Sequence, residues 1–309
     1  MNQEDNLCPV CYNRIFIGND NESNFVKLLC GHKFHFSCLI IWLRTNRTCP
    51  SCRSDLEEQP IIPIGYEGQY NSDGLKHGHG IMKYENGNIY DGEWRNDKKC
   101  GHGKIKYENG DIYEGEWDDD TYNGEGVLII NSKRIYSGEF LNGKRHGYGI
   151  YKDSYGNEYN GEWVNGYKHG KGELKYNNGN NYNGEWKNDI KFGYGAMRYK
   201  NGSLYKGNWY HGFKHGDGTM IYENGDVYTG PWSFGEREGK GILLFHNKRK
   251  YEGNFDDNEI NGLGVMKYSN KTEYRGQFKN GKRHGAGIMI KDKSIIFEGK
   301  WMNDIKVTV

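Results

Sequence analysis

"YDGEWRNDKKCGHGKIKYENGDI", Tyr90 to Ile112, reads as a β-hairpin. Its first half sets Tyr90, Gly92 and Trp94 at every second position, and its second half does the same with Gly101, Gly103, Ile105 and Tyr107. Side chains at a period of two share one face of a strand. "RNDKKC" is the turn between the halves, and "ENGD" joins one hairpin to the next with the Asn-Gly chemistry that tight hairpin turns favour. The Tyr-x-Gly-x-aromatic signature recurs at Tyr66, Tyr90, Tyr113, Tyr136, Tyr159, Tyr182, Tyr205, Tyr228, Tyr251 and Tyr274, and as "FEGKW" at Phe297. The spacing is 23 residues after a first step of 24, giving ten full repeats and a partial eleventh.

A fixed period in this range means a solenoid or array, in which each repeat meets only its neighbours. The inward glycines are expected to leave room for the rings of neighbouring repeats to lie over the backbone. With two strands per repeat at about 4.8 Å each, ten repeats predict an elongated, twisted, antiparallel sheet of roughly 90 to 100 Å. Irregular repeats are expected where Ile130, Asp153 and Lys291 replace the tyrosine of the second strand, and at Pro231.

Composition agrees with a thin architecture. The 309 residues include 46 glycines and only 35% hydrophobic residues, which argues against one large core. Lys plus Arg (42) balance Asp plus Glu (41), so no overall charge points to nucleic acid. The opening "MNQEDNLCPVC" has neither a basic start nor an apolar core, and no run of about 18 apolar residues occurs. An intracellular, cytoplasmic place is expected, and with it cysteines that serve as metal ligands or free thiols rather than as disulfides.

Six of the seven cysteines precede residue 53. The pattern is Cys8-x2-Cys11, then Cys30-x-His32-x2-His35-x2-Cys38, then Cys49-x2-Cys52: eight ligands in four pairs, the number that two tetrahedral zinc ions require. Several zinc modules use metal in place of a core that some 50 residues cannot supply, PHD and LIM types among them.

With every ligand position filled over about residues 7 to 55, the pattern resembles a RING finger of the two-histidine type. "CPVC", "CLIIWL" and "CPSCR" add Val10, Trp42, Pro50 and Arg53 to the likeness. The resemblance implies an interleaved wiring, with Cys8, Cys11, His35 and Cys38 on one zinc and Cys30, His32, Cys49 and Cys52 on the other. It also implies binding of a ubiquitin-conjugating enzyme charged with ubiquitin, through Val10, Trp42 and Pro50. Arg53 matches the cation that bridges that enzyme to ubiquitin. Such zinc is closed and structural, so catalysis is positional and no covalent intermediate forms on this chain. Trp42 as a helix anchor and Arg53 as a solvated charge are the plain alternatives.

From residue 66 on, the repeats resemble MORN repeats. The expected fold is therefore a small zinc-stabilised α+β RING domain (1–55), a linker (56–65) whose "IIPI" caps the first repeat, and an elongated all-β antiparallel MORN-repeat solenoid (66–309). The resemblance also brings membrane or cytoskeletal association and binding of acidic phospholipid, set against a protein-binding platform and a passive spacer. His77, His146, His169, His215 and His284 share one repeat position, but equivalent positions roughly 10 Å apart cannot share an ion. Cys100 occupies the same position and is expected to be an ordinary, partly exposed thiol. Outward rows of Lys83, Lys106, Lys152, Lys175, Arg198 and Lys267, and of Glu93, Glu116, Glu139, Glu162 and Glu185, are expected to pair across strands. A ubiquitin ligase whose repeats recruit an unidentified protein substrate is the leading reading, and a scaffold whose finger serves assembly alone is the alternative.

Overall fold

The computed structural model describes residues 8–10, 25–28, 30–43, 48–54, 65–268 and 270–307, without the side chains of residues 25, 36, 37, 40 and 41. Cys11, the segment 55–64 with its "IIPI", and the end of the chain from 308 lie outside the described residues. The chain forms two compact parts, Met1–Lys144 and Arg145–Val309.

The first part opens with a small α+β module. Strand β1 (Phe25–Lys27) pairs antiparallel with β2 (Lys33–His35), and helix α1 (Phe36–Leu43) follows at once. Val26, Leu28, Phe34 and Leu39 are buried together with Cys8 and Cys49. Among the described residues this is a small apolar cluster, to which Cys38 and Leu43 add partly buried surface, and modules of this size commonly draw on metal for stability.

The remainder of this part is an antiparallel meander. Strands β3 (Gly65–Tyr70), β4 (Lys76–Lys83), β5 (Ile89–Arg95) and β6 (Lys98–Lys106) each pair with the next, and the pattern continues through Lys133–Leu141. The second part is likewise an antiparallel meander, which ends at Ile305–Val307. An all-β antiparallel repeat fold behind an α+β module is the class that the sequence predicts.

The inward face is the expected one, but its rings are arranged differently. Tyr90, Gly92 and Trp94 are buried on one side of β5, as Tyr159, Gly161 and Trp163 are on theirs. Gly92 faces Gly103 across the ladder, and a methyl on either would collide with Tyr90 of the same repeat. That tyrosine donates its hydroxyl to the Glu93 carbonyl at 3.0 Å. The glycine pair thus accommodates the repeat's own tyrosine rather than a neighbour's ring. The link to the neighbour is made by Trp94, which donates Nε1 to the Gly80 carbonyl of the preceding repeat at 3.1 Å and meets Tyr66 edge-on at 5.4 Å.

Turns also divide differently from the expectation. Inside a repeat the strands are joined by two residues of positive φ, Asn96 (52°) and Asp97 (67°), the type I′ geometry whose twist matches the strands. Between repeats, the Gly87 N–H bonds to the Tyr84 carbonyl (3.0 Å) and the Tyr84 N–H to that of Asn88 (2.9 Å), with positive φ at Gly87 alone. The Asn-Gly links are therefore type I turns closed by a left-handed glycine. At Ile130 and Lys291 the links shrink to the two-residue turns Asn131-Ser132 and Asp292-Lys293, and the ladder shifts beside them. Asp153 leaves its repeat regular, because its carboxylate accepts the N–H groups of Tyr155 and Asn157, each at 2.9 Å.

Each regular second strand contains a β-bulge. The register moves between Gly92 and Glu93, which turns Gly101 outward and Cys100 inward. The bulge frees an N–H group, and the glutamate row answers it. Glu93, Glu116, Glu162 and Glu185 accept the N–H of His102, Glu125, Lys171 and Tyr194 at 3.0 to 3.2 Å. These glutamates cap the backbone rather than pair with lysine. Pro231 occupies the glutamate position in its repeat and has no such acceptor, and there the second strand divides into Glu236–Arg237 and Gly239–Leu244. Of the lysine row, Lys152 and Lys175 approach Glu158 at 3.9 and 4.0 Å, and Lys267 approaches Glu273 at 3.8 Å. Exposed pairs of that kind contribute little.

Candidate metal centre

"CGHKFHFSC", Cys30 to Cys38, runs through β2 into α1, and the two ends of β2 face different neighbours. Behind it, the ligand atoms of Cys30 and His32 group with those of Cys49 and Cys52, all within 4.8 Å of one another. Ahead of it, those of His35 and Cys38 group with Cys8 by the same measure. Three contiguous residues of strand thus carry the chain from one group to the other. Cys11, expected in the second of these groups, lies outside the described residues.

The donor set fits zinc. His32 Nδ1 is 3.4 Å from Cys30 Sγ and 3.7 Å from Cys49 Sγ. A tetrahedral ion with bonds near 2.3 Å to sulfur and 2.1 Å to nitrogen separates those atoms by about 3.6 Å. The knuckle is closed by the Arg53 N–H on the Cys49 carbonyl and the Cys49 N–H on that of Ser54, both at 2.9 Å. Burial pushes the Cys49 thiol up to about 11, while the Ser54 hydroxyl and amide hold that of Cys52 below its ordinary value. A dication here would supply the charge that keeps the buried thiol ionised.

The other residues singled out in the sequence lie around these groups. Val10, 36% exposed, is in the turn after Cys8. Trp42 on α1 is part-buried and donates Nε1 to the Thr48 carbonyl at 3.0 Å, which ties the helix to the Cys49 knuckle. Pro50 lies within that knuckle, half-buried, and Arg53 leaves it exposed at φ 56°. Among the described residues the Arg53 guanidinium makes no ion pair.

In the repeats, no histidine joins a metal-type group among the described residues. Cys100 is buried rather than partly exposed, since the bulge turns it inward, and burial raises its thiol. A row of cations in the second strands was missed by the sequence reading. Lys76, Lys99, Lys168 and Arg283 each lie over a tryptophan ring, at 5.4, 5.4, 5.6 and 4.4 Å, with an acid of the next repeat's turn beside them. Its signal in the sequence is a Lys or Arg nine residues after the tyrosine, ten in the first repeat, with Asp 21 residues further on.

Comparison with known proteins adds two family matches. The Ring finger domain family matches residues 6–53, and the MORN repeat family matches ten segments from 66–89 to 274–293. RING-H2 finger protein ATL32 of Arabidopsis thaliana is 36% identical over 60 residues, 19% of this chain and 18% of that protein. E3 ubiquitin-protein ligase TRAIP of Homo sapiens is 38% identical over 58 residues, 18% of this chain and 12% of that protein. The chain spans no more than 18% of the length of these curated relatives. Among solved structures, the TCP10 domain of Danio rerio CPAP covers 77% of this chain and 100% of its own at 9% identity, with a TM-score of 0.35, too low a score to bear on function.

Proposed function

The chain belongs to the MORN-repeat family, with a RING finger ahead of the repeats, and on that premise we propose that it is a single-subunit ubiquitin ligase. Its finger would hold two zinc ions, one on Cys8, Cys11, His35 and Cys38 and one on Cys30, His32, Cys49 and Cys52. Val10, Trp42 and Pro50 receive a ubiquitin-conjugating enzyme, Arg53 contacts its ubiquitin, and the repeats from 66 onward hold the protein substrate. The observation that carries this reading is the crossing of one strand between two Cys/His groups, with the exposed Arg53 directly after the last ligand. The chemistry is positional. Bringing the charged enzyme and a substrate lysine together turns a bimolecular transfer into a near-unimolecular one, which supplies several kcal/mol with no group of this chain reacting. The site of action is the cytoplasm.

The alternative, a scaffold whose finger serves assembly alone, is favoured by one observation: the Trp42 indole is bonded to Thr48 and so has a structural task in either case. Arg53 separates the two readings. Arg53→Ala exchanges one non-glycine residue for another at positive φ and touches no ligand, so zinc content and Tm stay as they are. Discharge of ubiquitin to lysine slows about tenfold or more, as the loss of a contact worth roughly 1.5 to 3 kcal/mol requires. Discharge assays with a panel of conjugating enzymes, with zinc measured in parallel, decide it. Full activity in Arg53→Ala, or none in the wild type with any enzyme, leaves the scaffold reading.

A further inference from the structure

The cations that lie over the rings, Lys76 buried and the others half-buried, are satisfied in one way wherever the facing turn supplies an acid. Asp97 meets Lys76 Nζ at 3.1 Å, Asp120 meets Lys99 at 3.0 Å, and Asp189 meets Lys168 at 3.2 Å. The same carboxylate oxygen accepts the main-chain N–H of that lysine at 2.9, 3.0 and 2.9 Å. One residue thus offers two converging donors, and the carboxylate reaches them from the second position of the next repeat's turn. The ammonium lies beneath aromatic rings, where water solvates it poorly.

Lys191 and Lys214 stand in the same place with the acid missing. Lys191 lies over Trp209 at 4.9 Å and Tyr182 at 5.2 Å, and Lys214 over Trp232 at 3.9 Å. The turns that face them are His211-Gly212 and Phe234-Gly235, with glycine where Asp97, Asp120 and Asp189 stand elsewhere. Neither lysine has a carboxylate within 4 Å among the described residues. Burial lowers both ammonium groups, that of Lys214 to about 8 against the opposing field of Glu236. The missing side chains also leave space: a Cβ on Gly212 would meet Ile190 alone, at 4.0 Å, and one on Gly235 would meet Phe213 alone, at 3.9 Å.

Exposed rings surround these two positions. Phe192, Tyr210, Phe213 and Phe234 are 36 to 57% exposed and touch in sequence, with centroids 6.0 Å apart for Phe192 and Tyr210, 6.3 Å for Tyr210 and Phe234, and 6.2 Å for Phe213 and Phe234. Contiguous exposed aromatics of this kind mark interaction surfaces. We infer that the turns of the sixth to eighth repeats form a docking site for an acidic linear peptide, whose carboxylates take at Lys191 and Lys214 the places that Asp120 and Asp189 take in their own repeats. Apolar side chains between the acids lie on the ring collar. The two positions are one hairpin apart, roughly 10 Å. Three residues of a polyproline II chain cover that span and bring positions i and i+3 to one side, so the acids stand three apart. A carboxylate is favoured over a lipid phosphate because the two donors of each lysine are placed as those that grip an aspartate elsewhere in the chain.

The site is independent of the ligase reading, since binding is measured without ubiquitin transfer. The probe is an array of twelve-residue peptides with Asp or Glu three apart and Phe, Tyr or Leu between them, beside matched peptides carrying Asn or Gln. The full chain should be retained on the acidic peptides at least tenfold more strongly than on the amides. Gly212→Asp with Gly235→Asp supplies the chain's own carboxylates at a turn position where Asp is native at φ 65° to 67°. This variant should gain in Tm and lose peptide binding at least tenfold. Lys191→Met with Lys214→Met should lose binding equally without a fall in Tm, because a desolvated cation lacking an acid is removed. Equal retention on amide peptides, undiminished binding in the Gly→Asp variant, or binding only to phosphatidylserine vesicles would overturn the proposal.

Discussion

On the proposed ligase reading, treating the intact chain with a chelator should abolish ubiquitin discharge and unfold the small module, while the strands from Gly65 onward keep their protection. The cause is the composition of the small module's core. Of the six buried side chains among the described residues, Cys8 and Cys49 are themselves proposed ligands, so removal of the metal leaves only Val26, Leu28, Phe34 and Leu39 of that described set. Bound beside Cys49, a dication would favour the thiolate of a thiol that burial holds at about 11, and without it that thiol would stay protonated. The repeats draw their stability from rings and glycines, groups that are not metal ligands. Hydrogen exchange read by mass spectrometry, with and without chelator, follows both regions in one sample, and metal analysis gives the count. Two equivalents of zinc with exchange confined to the first 54 residues is the expected result. One equivalent, or exchange spreading into the repeats, would set aside the independence of the two modules. Cys52→Ser, which removes one proposed ligand, should reproduce the loss of activity.

The repeat fold is legible because its determinants alternate. Tyr90, Gly92 and Trp94 announce a face by spacing alone, and the same face is buried in the structure. What alternation cannot show is the bulge. Counting back from Gly103 at a period of two puts Gly101 inside and Cys100 outside, and the bulge, which leaves Gly101 and His102 without partners in the register with β5, reverses both. The tasks of Glu93 and Lys99 follow from that shift, since one caps the N–H that the bulge frees and the other turns beneath the rings. The glycine pair was legible as a need for space, but which ring fills it depends on the rotamer of Tyr90. In the finger, spacing yields four ligand pairs and their number. The path of β2 sets Cys30 and His32 beside Cys49 and Cys52, and His35 and Cys38 beside Cys8, whereas in the sequence the grouping is legible only through family likeness. The bond from Trp42 to Thr48 is a tertiary contact that spacing does not reveal.

Gly172→Ala should be among the most damaging single-methyl additions in the repeats, and the expected loss is about 3 kcal/mol. Gly172 has an ordinary φ, so the effect is steric and not a matter of backbone strain. A Cβ there would overlap the Tyr159 hydroxyl and come within 2.5 Å of two carbons of its ring, in a place where Tyr159 is fully buried and donates to the Glu162 carbonyl at 3.0 Å. Displacing that ring also strips Trp186 of an edge-on partner at 5.5 Å and disturbs the Gly172 carbonyl that its Nε1 bonds at 3.1 Å, so the damage crosses into the next repeat. Gly166→Ala is the control. It sits at φ 90° with nothing within 4 Å of a Cβ, so only the left-handed backbone is penalised, by about 1 to 2 kcal/mol. Urea unfolding of both variants should therefore rank Gly172→Ala below Gly166→Ala. Combining Gly172→Ala with Tyr159→Leu should cost less than the sum of the two, because the leucine leaves the methyl its space. Strict additivity would mean that the tyrosine does not lie over the glycine pair, and with it would go the account of why glycine recurs at this place along the array.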